Sequence, residues 1–129
     1  MPTIPDSFRD LLLPQTRAFV VLHTQSADGD PLMTPMWFSM DGDMLLLNST
    51  PTTRKHKNML ANPHIRCLIF DPGNMYRYLD ITGTVIDISQ EGANAHNQLL
   101  AEKYDWDDGT FGDNRVIYRI RIDRAQGVE

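Results

Sequence analysis

Apolar positions in this chain come in short runs, alternating with polar ones or filling the run outright, and Gly, Asp, Asn and Pro punctuate them. That is the pattern of strands joined by tight turns. Arg17–Thr24 (RAFVVLHT) is β-branched and apolar and predicts a strand. Ala27-Asp28-Gly29-Asp30 predicts a turn, because Asp-Gly accepts positive φ. Leu32–Met40 predicts the returning strand, with Pro35 at an edge or bulge. Asp41-Gly42-Asp43 is a second hairpin signal. Met44–Ser49 (MLLLNS) then reads as a strand buried on both faces for most of its length. His64–Phe70 is a further strand, and Asp71-Pro72-Gly73-Asn74 a turn. Tyr76–Ile88 is a long strand in which Gly83 marks a bend or bulge. In Arg115–Ile122, Val116, Tyr118, Ile120 and Ile122 face one way and Arg115, Ile117, Arg119 and Arg121 the other.

Three helices are expected between these strands. Pro5-Asp6-Ser7 followed by Phe8, Leu11 and Leu12 predicts a short capped helix. Thr52–Ala61 is capped by Thr52 or Thr53 and ended by Asn62-Pro63. Ser89 caps a helix running to about Tyr104, with Glu91 in its first turn. Six antiparallel strands with short connecting helices predict a mainly β protein, a small closed or split barrel.

Length and charge narrow the class. The 129 residues suggest one domain, 1–129, without linker or repeat. A formal net charge of −5 argues against general nucleic-acid binding. The single cysteine, Cys67, sits in an apolar run and reads as packing. No apolar run approaches the length of a membrane span, and no secretory leader pattern is visible. The expectation is a cytoplasmic protein with no membrane partner. The four histidines show no metal-ligand spacing, so no metal is expected. No Gly-x-Ser-x-Gly occurs. Trp106–Gly112 reads as an acidic loop, and Asp105-Trp106-Asp107-Asp108 either is solvated or repels anionic substrates.

Against that acidic background, Arg54-Lys55-His56-Lys57 gathers positive charge at a helix start, behind the hydroxyls of Ser49, Thr50, Thr52 and Thr53. Helix N-termini attract anions, and first turns ordinarily carry acids, so cations here are unfavourable unless something negative neutralises them. Two readings stand: a solvated basic helix with threonine capping, or a phosphate site built without P-loop glycines. Met33, Met36, Trp37, Phe38 and Met40 are core or the wall of a cofactor site. Tyr76, Tyr78, Tyr104 and Trp106 line a flat ring or a dimer interface.

Several motifs recur in order. They are Asp28-Gly29-x-Pro31, Thr34-Pro35-Met36-Trp37-Phe38, Asp41-Gly42-Asp43-x-Leu45, Arg54-Lys55-x-x-Asn58-Met59, Asn62-Pro63-His64-Ile65 and Tyr76-Arg77-Tyr78-Leu79-Asp80-Ile81-x-Gly83. From about Arg17 to Ile122 this set resembles the pyridoxamine 5′-phosphate oxidase-like split-barrel family, and YRYLDITG resembles its branch that uses coenzyme F-420, an 8-hydroxy-5-deazaflavin. The resemblance implies a six-stranded antiparallel split β-barrel and a homodimer with a cofactor in each interface groove. It implies phosphate binding by Arg54 and Lys55 with hydroxyl help from Ser49, Thr50 and Thr53, and further contacts from Lys57 and Asn58. Met36, Trp37 and Phe38 would run beside the ring with Asn48 near it, and Tyr78 falls where the partner chain closes the groove. The implied activity is F-420-dependent hydride transfer to a small conjugated acceptor. The alternatives are an FMN-dependent reductase or oxidase, or a non-catalytic flavin or deazaflavin carrier. The chain lacks the C-terminal basic set that oxidase members use for pyridoxal phosphate. Phe38 stands where flavin-using oxidases carry a basic residue, which favours deazaflavin over FMN.

Overall fold

The computed structural model describes residues 4–106 and 114–129. Seven strands form one antiparallel sheet: β1 (Val20–Gln25), β2 (Pro31–Met36), β3 (Ser39–Asp41), β4 (Met44–Ser49), β5 (His64–Asp71), β6 (Asn74–Ser89) and β7 (Val116–Val128). Their lateral order is β2-β1-β5-β6-β7-β4-β3. The two strands at the ends of this order, β2 and β3, are separated in sequence by Trp37 and Phe38 alone. Two sheet edges tethered by two residues must lie side by side, so the sheet is rolled into a barrel that stays open only at Trp37-Phe38. This is a split barrel.

The expected strand Leu32–Met40 is thus two strands, and the count is seven rather than six. One continuous strand cannot serve both edges. β2 pairs with β1 (Val20↔Met36), whereas β3 pairs with β4 (Met40↔Leu45), and the chain crosses the gap at Trp37-Phe38. Pro31 and Pro35 are tolerated in β2 because it is an edge strand with unpaired N–H positions.

Alternate residues of each strand fill the interior. Val20 and Leu22, Leu45 and Leu47, Ile65, Cys67 and Ile69, Leu79 and Ile81, and Val116, Tyr118, Ile120 and Ile122 are buried in one cluster. The other face of β4 and β7 is covered too: Leu46 and Ile117 pack with Ala93 of α2 (Ala93–Lys103). That second layer explains why β4 is apolar nearly throughout. At Gly83 the β6–β7 register shifts, and a Cβ there would stand 2.7 Å from Ile120 Cγ2 and 2.9 Å from the Arg121 carbonyl oxygen. The bulge depends on this close approach.

Helix starts differ from expectation in two places. The first helix, Asp6–Leu12, is 3-10, and Pro5 precedes it without a side-chain cap. It is held by burial of Phe8, Leu11 and Leu12. α2 begins at Ala93 behind Gly92, whose φ is +74°, rather than at Ser89. Ser89 is held in the β6–β7 ladder opposite Ile117, and its hydroxyl accepts from the Glu91 N–H. α1 (Arg54–Ala61) matches the sequence reading: Thr53 caps it by accepting from the His56 N–H at 3.3 Å. β7 runs on past Ile122 to Val128 because β6 offers it a partner as far as Tyr78.

Candidate functional site

Where β4 ends and α1 begins, the turn Ser49–Thr53 packs hydroxyl against hydroxyl. Thr53 Oγ1 donates to the Thr50 carbonyl at 3.0 Å and lies 3.5 Å from Ser49 Oγ, and Thr50 Oγ1 lies 3.1 Å from Thr52 Oγ1. These contacts make a turn whose polar atoms face a cleft of about 620 Å³. The opposite wall is the strand break, Pro35-Met36-Trp37, and the end wall is Asn97 and Leu100 of α2 with Arg115. Phe19 and Trp106 stand at the aromatic end.

The Trp37 indole stacks on the Tyr104 ring, with centroids 5.3 Å apart and planes within 5°. Trp106 meets Trp37 edge-on at 6.0 Å, and Phe19 lies 5.2 Å from Tyr104. The Tyr104 hydroxyl donates to the Ala18 carbonyl, and burial raises that phenol to about 12. The result is a packed aromatic cluster of stacked, tilted and edge-on rings, of which Phe19, Trp37 and Trp106 line the cleft.

Lys55 supplies the cleft with charge. Burial and the neighbouring Arg115 guanidinium both lower its ammonium from the ordinary value. Among the described residues no carboxylate compensates it. Arg115 Nε donates to Asn48 Oδ1 at 2.8 Å, and its Nη2 to Asn97 Oδ1 at 3.1 Å. Asn48 Nδ2 donates to the Ala93 carbonyl at 2.8 Å and to His96 Nδ1 at 3.0 Å. Burial, with Arg119 nearby, pushes His96 down to about 4, so its imidazole is neutral near pH 7 and accepts at Nδ1. The cleft therefore presents donors: an ammonium, a guanidinium and several hydroxyls.

Of the residues singled out in the sequence, Met36, Trp37, Asn48, Ser49, Thr50, Thr53 and Lys55 line this one cleft. The others lie elsewhere in the protomer. Phe38 is fully buried in the barrel core, and its carbonyl accepts from Lys103 Nζ. Arg54 and Lys57 are exposed on α1. Asn58 is buried and donates to Thr24 Oγ1 at 3.0 Å, tying α1 to β1. Tyr78 lines a separate groove with Met33, Arg66 and Leu68. Arg115, Asn97 and Phe19 were not anticipated as part of a site. Nothing in the sequence points to Arg115, because only the pairing of β7 with β4 brings it to Asn48. The loop expected over Trp106–Gly112 lies, beyond Trp106, outside the described residues.

A sequence profile of the pyridoxamine 5′-phosphate oxidase family matches residues 4–129. The chain belongs to that family. This pyridoxamine 5′-phosphate oxidase family member is also similar to a solved F-420 reductase, with 31% identity over 95% of this chain and 98% of that one and a TM-score of 0.83. A Mycobacterium tuberculosis protein matches with 20% identity over 99% of this chain and 86% of its own, at a TM-score of 0.74. A Listeria innocua protein provisionally named a pyridoxamine 5′-phosphate oxidase matches with 22% identity over 95% of each chain, at 0.70. These last two likenesses establish the fold. Comparison with curated proteins gives no match. Among the described residues the family member has no cluster of three metal-ligating side chains, and no helix is long and apolar enough to cross a membrane.

Proposed function

We propose that the protein is an oxidoreductase that binds coenzyme F-420 in the Lys55 cleft and transfers hydride to a small conjugated acceptor. The observation that carries this is Lys55 itself. It is a half-buried ammonium without a carboxylate partner among the described residues, in a cleft that also holds the hydroxyls of Ser49, Thr50 and Thr53 and the aromatic side chains of Phe19, Trp37 and Trp106. An ammonium beside hydroxyls that can donate, those of Ser49 and Thr50, suits the phosphate of a cofactor tail, while the Thr53 hydroxyl is engaged with the Thr50 carbonyl. The aromatic side chains and the Met36-Trp37 segment that line the cleft suit an apolar ring system. When bound, the deazaflavin supplies a hydride from its ring carbon. The chain's part is to grip the tail through Lys55 and the hydroxyls, to lay the ring along Met36-Trp37, and to exclude water with Phe19 and Trp106. Likeness to an F-420 reductase at 31% identity supports deazaflavin. FMN is the second reading, because the same donors suit its phosphate equally.

The functional unit in this reading is a homodimer. Phe19, Met33, Met75 and Tyr76 are exposed although apolar or aromatic, which suits a surface that a twofold partner covers. Titration of the purified protein with oxidised F-420 and with FMN, followed by fluorescence, tests the cofactor, and sedimentation tests the dimer. Saturable binding of F-420 at micromolar concentration is expected. Binding of neither cofactor at that concentration would sink the proposal.

A further inference from the structure

A second cavity of about 620 Å³ shares its Leu100 wall with the cleft and lies between the 3-10 helix, β3 and α2. Much of its lining is apolar, including Leu12, Met40, Leu46 and Leu99. Such a volume and such walls suit a small organic molecule. No acidic residue lines it among the described residues. Its cations are Arg9 and Lys103. Arg9 is already engaged by Asp43 at 3.2 Å and Asp6 at 3.4 Å. Lys103 has no carboxylate partner among the described residues: its ammonium stands 4.8 Å from the Phe38 ring centroid and 5.2 Å from that of Tyr104. Among the described residues its one hydrogen bond, to the Phe38 carbonyl, is long at 3.4 Å. Burial lowers this ammonium from its ordinary value.

Ser39 offers a second donor. Because His96 Nδ1 accepts from Asn48, the imidazole proton is on Nε2 and is donated to Ser39 Oγ at 2.8 Å. The hydroxyl proton of Ser39 is then free to donate, and no acceptor for it occurs among the described residues. The cavity thus offers two donors and an apolar wall.

We propose that this cavity binds an amphipathic carboxylate, with its alkyl body on Leu12, Met40, Leu46 and Leu99 and its carboxylate on Lys103 and Ser39. A neutral ligand of the same length leaves the ammonium without a counter-charge, and a cationic one is repelled by it. The site is distinct from the cofactor cleft, and the proposal stands whether or not that cleft binds F-420.

The test is calorimetric titration of the cofactor-free protein with decanoate, decanol and decyltrimethylammonium. Decanoate is expected to bind one per chain, about tenfold or more tighter than decanol, and the ammonium amphiphile not at all. Lys103→Met should weaken decanoate by about tenfold while leaving decanol within about twofold. Ser39→Ala supplies the same comparison with a smaller loss, should the lysine variant fail to fold. Lys55→Met, in the other cleft, should leave decanoate binding unchanged. Absence of decanoate binding, equal affinity for decanol, or loss in Lys55→Met with retention in Lys103→Met would each overturn the assignment.

Discussion

His96 Nδ1 lies 3.0 Å from Asn48 Nδ2, so the Asn48 amide decides which nitrogen of that imidazole carries the proton. With its NH2 turned to His96 and the Ala93 carbonyl, Asn48 must present Oδ1 to Arg115. The Ala93 carbonyl, which only accepts, and the Arg115 guanidinium, which only donates, orient the amide on β4, and the amide in turn holds the neutral imidazole on α2 in one tautomer.

That arrangement predicts acid sensitivity. The unfolded His96 takes up a proton near the ordinary value of 6.5, whereas the folded one does so only at about 4. Between those values the unfolded state holds more protons, so stability is complete above about 6.5 and is lost as pH falls toward about 4. Allowing for partial solvent access, the loss is about 1–2 kcal/mol. His56, buried beside the Tyr118 hydroxyl, is shifted in the same direction. Urea midpoints across this range should fall with pH, and His96→Gln should flatten part of the slope. An unchanged slope in the variant would show that His96 is not the group responsible.

Lys55 and Arg54 are neighbours in sequence but not in setting, since Lys55 lines the cleft and Arg54 is exposed. Lys55→Met should weaken binding of F-420 or FMN by roughly 1.5–3 kcal/mol, the range for a hydrogen bond to a charged group. Arg54→Met should change it by no more than about 1 kcal/mol. Dissociation constants from fluorescence titration decide it, and the reverse order would place the tail elsewhere.

Gly83→Ala should destabilise the barrel by about 1–3 kcal/mol, because the new methyl group meets Ile120 and the Arg121 backbone and one of the strands must give. Denaturant melts measure this. A neutral result would mean that the bulge relaxes freely.

Cys67 should be inert in the native protein. It is buried in β5, and burial raises its thiol to about 12, leaving almost no thiolate near pH 7. Iodoacetamide labelling should be slow until denaturant is added. Prompt labelling of the folded chain would contradict this packing.

Much of the fold could be read locally. Met44–Ser49, the Thr53 cap, the Asn62-Pro63 stop, the turns at Gly29 and Gly42 and the bulge at Gly83 are each set by the backbone chemistry of a few adjacent residues. Period-two alternation likewise placed Val116, Tyr118, Ile120 and Ile122 inside. Where the reading failed, a distant partner had intervened. Leu32–Met40 has no internal signal for its break, because the break serves two edges of a rolled sheet. Residues beyond Ile122 lack apolar alternation, yet hydrogen bonding to β6 holds them as strand.

The amino-acid sequence determined by itself most of the strands, the turns and the cluster of cations and hydroxyls that opens α1, because those follow from neighbours within a few residues. Only the tertiary structure decided that Lys55 rather than Arg54 lines the cleft, that Arg115, Asn48 and His96 form one hydrogen-bonded line, and that Phe38 lies in the core. Those facts depend on which strand pairs with which and on the direction each side chain takes once the sheet has rolled, and no short stretch of sequence records either.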